Sequence, residues 1–450
     1  MAQDRCVDMT QGSAFRHILV FTFPLLIGNL FQQFYNLVDS LVVGNFVGAN
    51  ALASVGTCGS LNYLIFALAS GLSVGLGVMA AQAFGARNTG EIRKIISAGI
   101  YILSGTGLVV TVFFYAFAPN LLRLLRTPET VLPDAITYLR LLALGALPVA
   151  LYNGIASILR SMGDSKTSLY FLIAASLTNV VLDLVFVLGF RMGVFGVGLA
   201  TLISQIVSFA VSLVYALAKV PYFRLKKQEL RPDPKVIGRA LNLGIPVAAQ
   251  TSIISVSTMV LQGVVNGFGE TVMAAYTVVD RVEQIVQQPY GSLGTAMSTY
   301  AGQNMGAGEI DRVKAGYRKS YLIMGAFTLL MLPMAQFFGH QIVQLFVKSS
   351  ETEVIALGTQ ALRITSWFYF PLGMIYITRG LLNGAGDAMY SLINGIMEMC
   401  GRIGLAKPLT MIGVIGVWGV WLATGLTWLI TGLISLLRYM QGKWKEKGVV

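Results

Sequence analysis

The sequence predicts an all-α polytopic membrane protein, with twelve transmembrane helices arranged as two six-helix repeats. Three observations carry this. Only 12% of the 450 residues are charged and 55% are hydrophobic, whereas soluble domains carry about 25% charged residues. The apolar residues form runs long enough to cross a hydrocarbon core of about 30 Å as helices rising about 1.5 Å per residue. Short motifs of the first half also recur in the second at one offset, 223 residues. In lipid the backbone must satisfy its own hydrogen bonds, and these runs are too long and too weakly alternating for barrel strands.

The first run, near 16–44, carries Asp39, fifteen residues past Pro24 and well inside the hydrocarbon. An aspartate there costs roughly 2.5–3.5 kcal/mol on insertion scales, so it needs a partner, a proton or a bound cation. Asn29, Gln33, Asn36 and Ser40 recur at helical spacing, with Gln32 and Asp39 beside them, which gives this helix one polar face. Pro24 is expected to bend it. Further runs follow near 50–84, 94–118 and 131–159. The fifth, near 168–190, holds Asn179 and Asp183, whose i, i+4 spacing puts both on one helical face. The sixth, near 194–219, brings Thr201 in shortly after a Gly-rich turn. Together Asp39, Asn179, Asp183 and Thr201 offer carboxylate, amide and hydroxyl oxygens, the ligands a hard cation prefers. Two neighbouring carboxylates can equally hold a proton near neutral pH. Residue types leave Na+ (on Asp39, Asn179 and Asp183) and H+ both open.

Between the halves lies a basic, prolyl stretch, Lys219 to Arg239, with Arg224, Lys226, Lys227, Arg231 and Lys235 among Pro221, Pro232 and Pro234. It cannot span, and it reads as cytoplasmic. The expected division is a six-helix lobe over 1–219, a linker over 220–235 and a second lobe over 236–450. Basic clusters at Arg87/Arg93/Lys94, Arg160/Lys166, Arg312/Lys314/Arg318/Lys319 and Arg438/Lys443/Lys445/Lys447 fall on the linker's side. The net charge of +12 is therefore a mark of topology rather than of nucleic-acid binding, and both termini are expected in the cytoplasm. The first apolar run lacks a small-residue cleavage site and continues as a full span, so no cleavable signal peptide is expected.

The second half has runs near 236–267, 271–305, 315–338, 354–382, 389–413 and 417–438. Pro148 reads against Pro371, Gly163-Asp164 against Gly386-Asp387, and Gly193-Val-Phe-Gly-Val-Gly-Leu-Ala-Thr201 against Gly416-Val-Trp-Gly-Val-Trp-Leu-Ala-Thr424. Gly85-Ala-Arg-Asn-Thr-Gly-Glu-Ile and Gly306-Ala-Gly-Glu-Ile match with a gap of three residues. Six spans per half give both repeats the same orientation, an arrangement in which transporters bind between repeats. The acidic site is one-sided: Leu261 stands opposite Asp39, Arg402 opposite Asn179 and Ala406 opposite Asp183. Span seven keeps a neutral stripe, Thr251, Ser255, Thr258, Gln262 and Asn266, while span eight carries Asp280, Arg281, Glu283, Gln284 and Gln287, and span eleven Glu398 and Arg402. Glu283 reads either as one end of a structural ion pair with an arginine or, with Gln287, as cavity wall. On the first-half side Tyr35, Asn36 and Gln33 are the candidates to line a substrate cavity, with aromatic and Met side chains suited to flat cations.

These features together, the twelve spans, the paired Gly-Ala…Gly-Glu-Ile loops, Pro24 with Asp39 and Asn179-x3-Asp183, resemble the multidrug and toxic compound extrusion (MATE) family, in particular its DinF-like branch. The resemblance covers nearly the whole chain. It implies two six-helix lobes in a V, a cavity between them, and efflux of cationic drugs in exchange for Na+ or H+, with the cation on the residues matching Asp39, Asn179, Asp183 and Thr201. It further implies a multi-pass protein of a bacterial or archaeal cell (inner) membrane, expected to be a monomer, with small organic cations and the bilayer as partners and no cofactor beyond the coupling ion. The NorM-like branch carries acids in spans seven and ten, which this chain lacks. A flippase of lipid-linked intermediates is the alternative, but its cavity should be basic, and this first lobe is acidic. An intramembrane enzyme would need a nucleophile or metal constellation; His17, His340, Cys6, Cys58 and Cys400 are too scattered for one, or for disulfides or zinc.

Overall fold

The computed structural model describes residues 6–448, with the side chains of Leu37, Ser40, Leu41 and Ala49 excepted; the expected place of Ser40 on the polar face of the first span lies outside that description. The described chain is all-helical, with fourteen α-helices. The first half contributes α1 (Ala14–Val42), α2 (Ala49–Gly85), α3 (Thr89–Leu124), α4 (Leu132–Leu144), α5 (Ala146–Ser161), α6 (Ser165–Asp183) and α7 (Gly193–Lys219). The second contributes α8 (Pro234–Asn266), α9 (Glu270–Gly306), α10 (Ile310–Gln344), α11 (Thr352–Ser366), α12 (Tyr369–Ala385), α13 (Met389–Met411) and α14 (Gly419–Met440).

Fourteen helices make twelve segments because two segments are broken, at places where the sequence reads as continuous. The breaks match: Gly145 between α4 and α5, and Trp367–Phe368 between α11 and α12. The repeated prolines account for both. A proline ring clashes with the carbonyl four residues back and lacks an N–H, so it kinks or breaks a helix interior and is best accommodated in a helix's first turn. Pro148 and Pro371 therefore each sit in the first turn of a new helix. Nine of the twelve segments among the described residues are long and apolar enough to cross a membrane by length and composition. The other three are α9, α11–α12 and α13, and α9 and α13 hold the buried charges Glu283, Glu398 and Arg402.

The turns between segments explain the repeated motifs. Gly163 and Gly386 both take a left-handed φ (87° and 94°), which a residue with a Cβ adopts only under strain. The side chains of the aspartates that follow take different partners. Asp164 caps α6, accepting from Thr167 N at 3.0 Å, whereas Asp387 pairs with Arg438 of α14 at 2.8 Å.

Packing divides the described residues into two compact units, Pro24–Ala249 with residues 6–8, and Met9–Phe23 with Gln250–Gly448. The divisions fall inside α1 at Pro24 and inside α8 one turn past Pro246, equivalent prolines of the two repeats, although α1 continues as helix through Pro24. In the first unit the core is built by α2, α3, α4 and α7, with Val110, Phe114, Leu139, Leu142 and Val197 buried. The early turns of α8 lie on α2 through small residues. A Cβ on Gly75 would stand 2.6 Å from Gly244 N, and one on Gly71 would stand 2.4 Å from Ala248 Cα. This is the small-xxx-small pattern that lets membrane helices approach closely. The basic linker is pinned to the same unit: Arg224 donates to the last carbonyls of α7, Leu217 O at 2.8 Å and Ala218 O at 2.7 Å. Glu229 pairs with Arg93 of α3 at 2.8 Å, and Arg239 with Glu91. In the second unit Met9 is buried, its N–H donating to Gln303 Oε1 at 2.9 Å and its carbonyl accepting from Arg312 Nη2 at 3.0 Å.

Candidate functional site

Two acidic residues end two helices of the first unit. Asp183 is the last α-helical residue of α6 and Asp39 lies one turn before the end of α1. After each, the backbone relaxes into a short π-helical segment, Val43–Val47 and Leu184–Gly189, and these two segments pack on each other. Such wide turns in α-helices are found frequently at functional sites. Here they end the regular helices just past the two acids.

Asp183 is 1% exposed and Asp39 9%, and their carboxyl groups come within hydrogen-bond range of one another. One oxygen of each, Oδ1, is buried without a hydrogen-bond partner. Two carboxyls this close do not both stay ionised unless a proton or a cation sits between them. Asn179 completes the group. With its amide oriented to satisfy both ends, Nδ2 donates to Asp183 Oδ2 at 2.8 Å and Oδ1 accepts from the backbone N–H of Thr201 at 3.2 Å. The Thr201 hydroxyl donates to Val197 O at 3.1 Å, which leaves its lone pairs toward the group, and Tyr35 reaches it from α1. The four first-half residues singled out in the sequence, on α1, α6 and α7, thus come together in one buried cluster. Tyr138 of α4 also belongs there, buried within electrostatic reach of Asp39, Tyr35 and Asp183. Sequence reasoning missed it. The available signal was one tyrosine in a mostly aliphatic run, Ile136 to Leu144, that also holds Thr137 and Arg140.

A cavity of about 130 Å³ opens beside the cluster, lined by Gln32, Tyr35, Tyr152, Asn153, Asn179 and Thr201 among others. Tyr35 faces it as expected, whereas Gln33 and Asn36 do not line it. The lining face of α1 runs through residues 32 and 35 towards 39, about one residue's rotation away from the stripe 29–33–36–40. The break at Gly145 serves this cavity: a Cβ there would coincide with the Gln205 side chain, which lines the wall.

In the second unit Leu261 and Ala406, the counterparts of Asp39 and Asp183, are buried apolar residues. The ion-pair expectation for Glu283 does not hold. Arg402 turns instead to Glu398, at 3.6 Å, and donates to Ser257 Oγ at 3.0 Å. Arg379 approaches the same Glu398 at 3.7 Å. Glu283 is 8% exposed and its Oε1 is buried without a hydrogen-bond partner. Gln287 is tied up in the protein, its Oε1 accepting from the Tyr376 hydroxyl at 2.9 Å.

Twelve segments in two repeats, with buried carboxyls at membrane depth beside a polar cavity, define a polytopic membrane transporter of the repeat type. The chain belongs to the MatE family, whose model matches it twice, over residues 24–185 and again over 246–406, once per repeat. Among its relatives are the probable multidrug resistance proteins YpnP and YoeA of Bacillus subtilis (strain 168). Each is 30% identical; YpnP is matched over 98% of both chains, YoeA over 98% of this chain and 96% of its own. The fold is shared with a solved outward-facing multidrug resistance MATE family transporter of the MOP superfamily, at TM-score 0.92, 24% identity and 99% of both chains covered.

Proposed function

We propose that this chain is a secondary multidrug efflux antiporter that exports organic cations in exchange for Na+ or H+, with Asp39 and Asp183 as the coupling pair. The observation that carries the reading is the pair of buried carboxyls with an oxygen apiece left over. Asn179 and Thr201 supply the further oxygens an Na+ would need, and the protonated pair would serve H+ in the same place. The polar and aromatic wall of the neighbouring cavity suits a flat monocation. The names of the relatives, multidrug resistance and multidrug export proteins, point the same way. On this reading the DinF-like site is used, both termini and the basic linker face the cytoplasm, and one chain suffices for transport. Everted vesicles, whose outer face is the cytoplasmic one, should accumulate ethidium-like dyes when an Na+ or H+ gradient is imposed. Resistance conferred only against anionic compounds would defeat the reading.

A further inference from the structure

The tail after α14 buries a tryptophan among lysines. Lys443, Lys445 and Lys447 are exposed, whereas Trp444 between them is 1% exposed. Gly442 lets the chain fold back, since its φ of 72° lies in the left-handed region that glycine adopts freely. Lys443–Glu446 then forms a short 3-10 turn. Trp444 stacks on Tyr439 with ring centroids 5.7 Å apart, and its Nε1 donates to Tyr439 O at 3.0 Å. Tyr439 in turn stacks on Tyr317 of α10 at 4.0 Å. Three rings thus clamp the tail to the start of α10, all within the second unit. The clamp gathers cations from separate stretches of sequence. Arg318 and Lys314 lie within electrostatic reach of Tyr439, and Lys445 within reach of Asp311. Some of the cations are already engaged: Lys314 pairs with Asp311 at 2.7 Å, Arg438 with Asp387 at 2.8 Å, and Arg312 donates to Asn304 and to the Met9 carbonyl. Arg318, Lys319, Lys443, Lys445 and Lys447 form no ion pair among the described residues. The acids on the same stretches are Glu309, Asp311 and Glu446; with Asp387 they number four against eight cations. Next to the cations both helices turn apolar outward, Leu322 on α10 and Leu437 and Met440 on α14 each being more than half exposed.

We propose that the start of α10 and the tail after α14 form a built platform for anionic phospholipid, with Arg318, Lys319, Lys443, Lys445 and Lys447 on the headgroup phosphates and Leu322, Leu437 and Met440 against the acyl chains. Exposed apolar side chains followed directly by cations mark the level at which hydrocarbon gives way to headgroups. Lysine and arginine donate charge-assisted hydrogen bonds to phosphate oxygens. Each cation held at an anionic surface strengthens attachment roughly fivefold. The bias of basic residues towards one side of a membrane does not require this arrangement. That bias is met by lysines in a loop of any conformation, whereas a buried indole fixes where the neighbouring lysines stand. The leaflet is the cytoplasmic one on the topology proposed above; the headgroup chemistry does not depend on it.

The test is native mass spectrometry of the full-length protein in detergent, titrated with phosphatidylglycerol or with phosphatidylcholine of the same acyl chains. Three variants accompany the wild type. Lys443→Gln, Lys445→Gln, Lys447→Gln removes three exposed charges and keeps Trp444, so it should fold. Lys226→Gln, Lys227→Gln, Arg231→Gln removes the same charge from exposed positions of the linker. Trp444→Ala keeps every charge and frees the tail. The wild type and the linker variant should retain phosphatidylglycerol in preference to phosphatidylcholine. The tail variant should lose that preference by at least about tenfold, and Trp444→Ala should lose most of it. Equal retention of the two lipids by the wild type overturns the proposal. So does an equal loss in the linker variant, which would make net charge the whole cause, or an unchanged preference in Trp444→Ala, which would make the clamp idle. Displacement of the lipid by inorganic phosphate, but not by chloride at the same ionic strength, would assign the surface to a soluble anion instead and overturn it as well.

Discussion

At the scale of single residues, Asn179 deserves the first experiment, because its amide links an acid on its own helix to the backbone of α7. A hydrogen bond to a charged group is worth about 1.5–3 kcal/mol net, and about 1.4 kcal/mol is a factor of ten in affinity. We expect Asn179→Leu to raise the concentration of coupling ion needed for half-maximal dye efflux roughly ten- to hundredfold, with transport recovered at saturating ion. An unchanged half-saturation would remove Asn179 from the site. A second residue-scale outcome concerns Glu229 in the linker. The backbone N–H of Lys226 and, next, the Arg93 guanidinium hold its carboxyl below the usual glutamate value. A depressed carboxyl contributes docking that is complete above the unfolded value, about 4.3, and is lost as pH falls through the lower folded value. Protection of the Lys226 amide, its exchange rate divided into the intrinsic rate at the same pH, should therefore be high at neutral pH and fall below about pH 4; protection with no such acid step would show that the contact contributes nothing. The buried acids and the asparagine were legible in the sequence because polar groups at membrane depth are costly and rare. Tyr138 was not, since a tyrosine is at home in an apolar helix with or without a polar task.

At the scale of elements, the contact of α2 with α8 rests on the absence of side chains. Gly75→Leu must push the helices apart, and overpacking of this kind costs about 1–3 kcal/mol. Gly56, on the same helix, has open space where its Cβ would be. We expect Gly75→Leu to lower the melting temperature of the detergent-solubilised protein while Gly56→Leu leaves it unchanged or raises it, leucine being the better helix former. Equal shifts would mean that the close approach contributes nothing. The twelve segments were legible because span length and hydropathy are set by the bilayer. The two breaks were not read, because hydropathy runs on across Gly145 and Phe368; Pro148 and Pro371 were noticed as a repeat but not as helix starts. The π-helical turns after Asp39 and Asp183 have no signal in hydropathy at all, for they are a change of hydrogen-bond register rather than of composition. Which side chains of the polar α1 face reach the cavity was not legible either. A stripe of amides at helical spacing marks polarity, but it does not say which neighbour each amide meets.

At the scale of the whole molecule, the sequence carries two asymmetries, one of charge across the membrane and one between repeats. The first gives a topology test. With Cys6, Cys58 and Cys400 replaced, a cysteine at Gln228 should react with an impermeant reagent only in opened or everted membranes, because the linker's basic residues resist translocation. The second bears on energy. The carboxyls within hydrogen-bond range of each other, Asp39 and Asp183, lie in the first repeat, so the driving ion should act there, and the second repeat should not substitute for it. One positive charge moving inward across 100 mV releases about 2.3 kcal/mol, to which an Na+ or H+ gradient adds. To spend this on export, ion and drug must weaken each other's binding, and that coupling is reciprocal. Removing the ion's ligands should then abolish the coupling without abolishing the protein. Asn is nearly isosteric with Asp, and replacing a buried carboxyl that lacks a paired cation relieves a desolvation penalty, so the Asp39→Asn, Asp183→Asn double variant should melt no lower than the wild type. In proteoliposomes with an imposed Na+ or H+ gradient it should retain equilibrium binding of a cationic dye and lose gradient-driven accumulation, by about a hundredfold if each of the two lost ligands is worth about 1.5 kcal/mol. Apolar replacements of similar size at Leu261 and Ala406 should leave accumulation intact. Gradient-driven transport at the wild-type rate by the double variant would show that the coupling ion binds elsewhere.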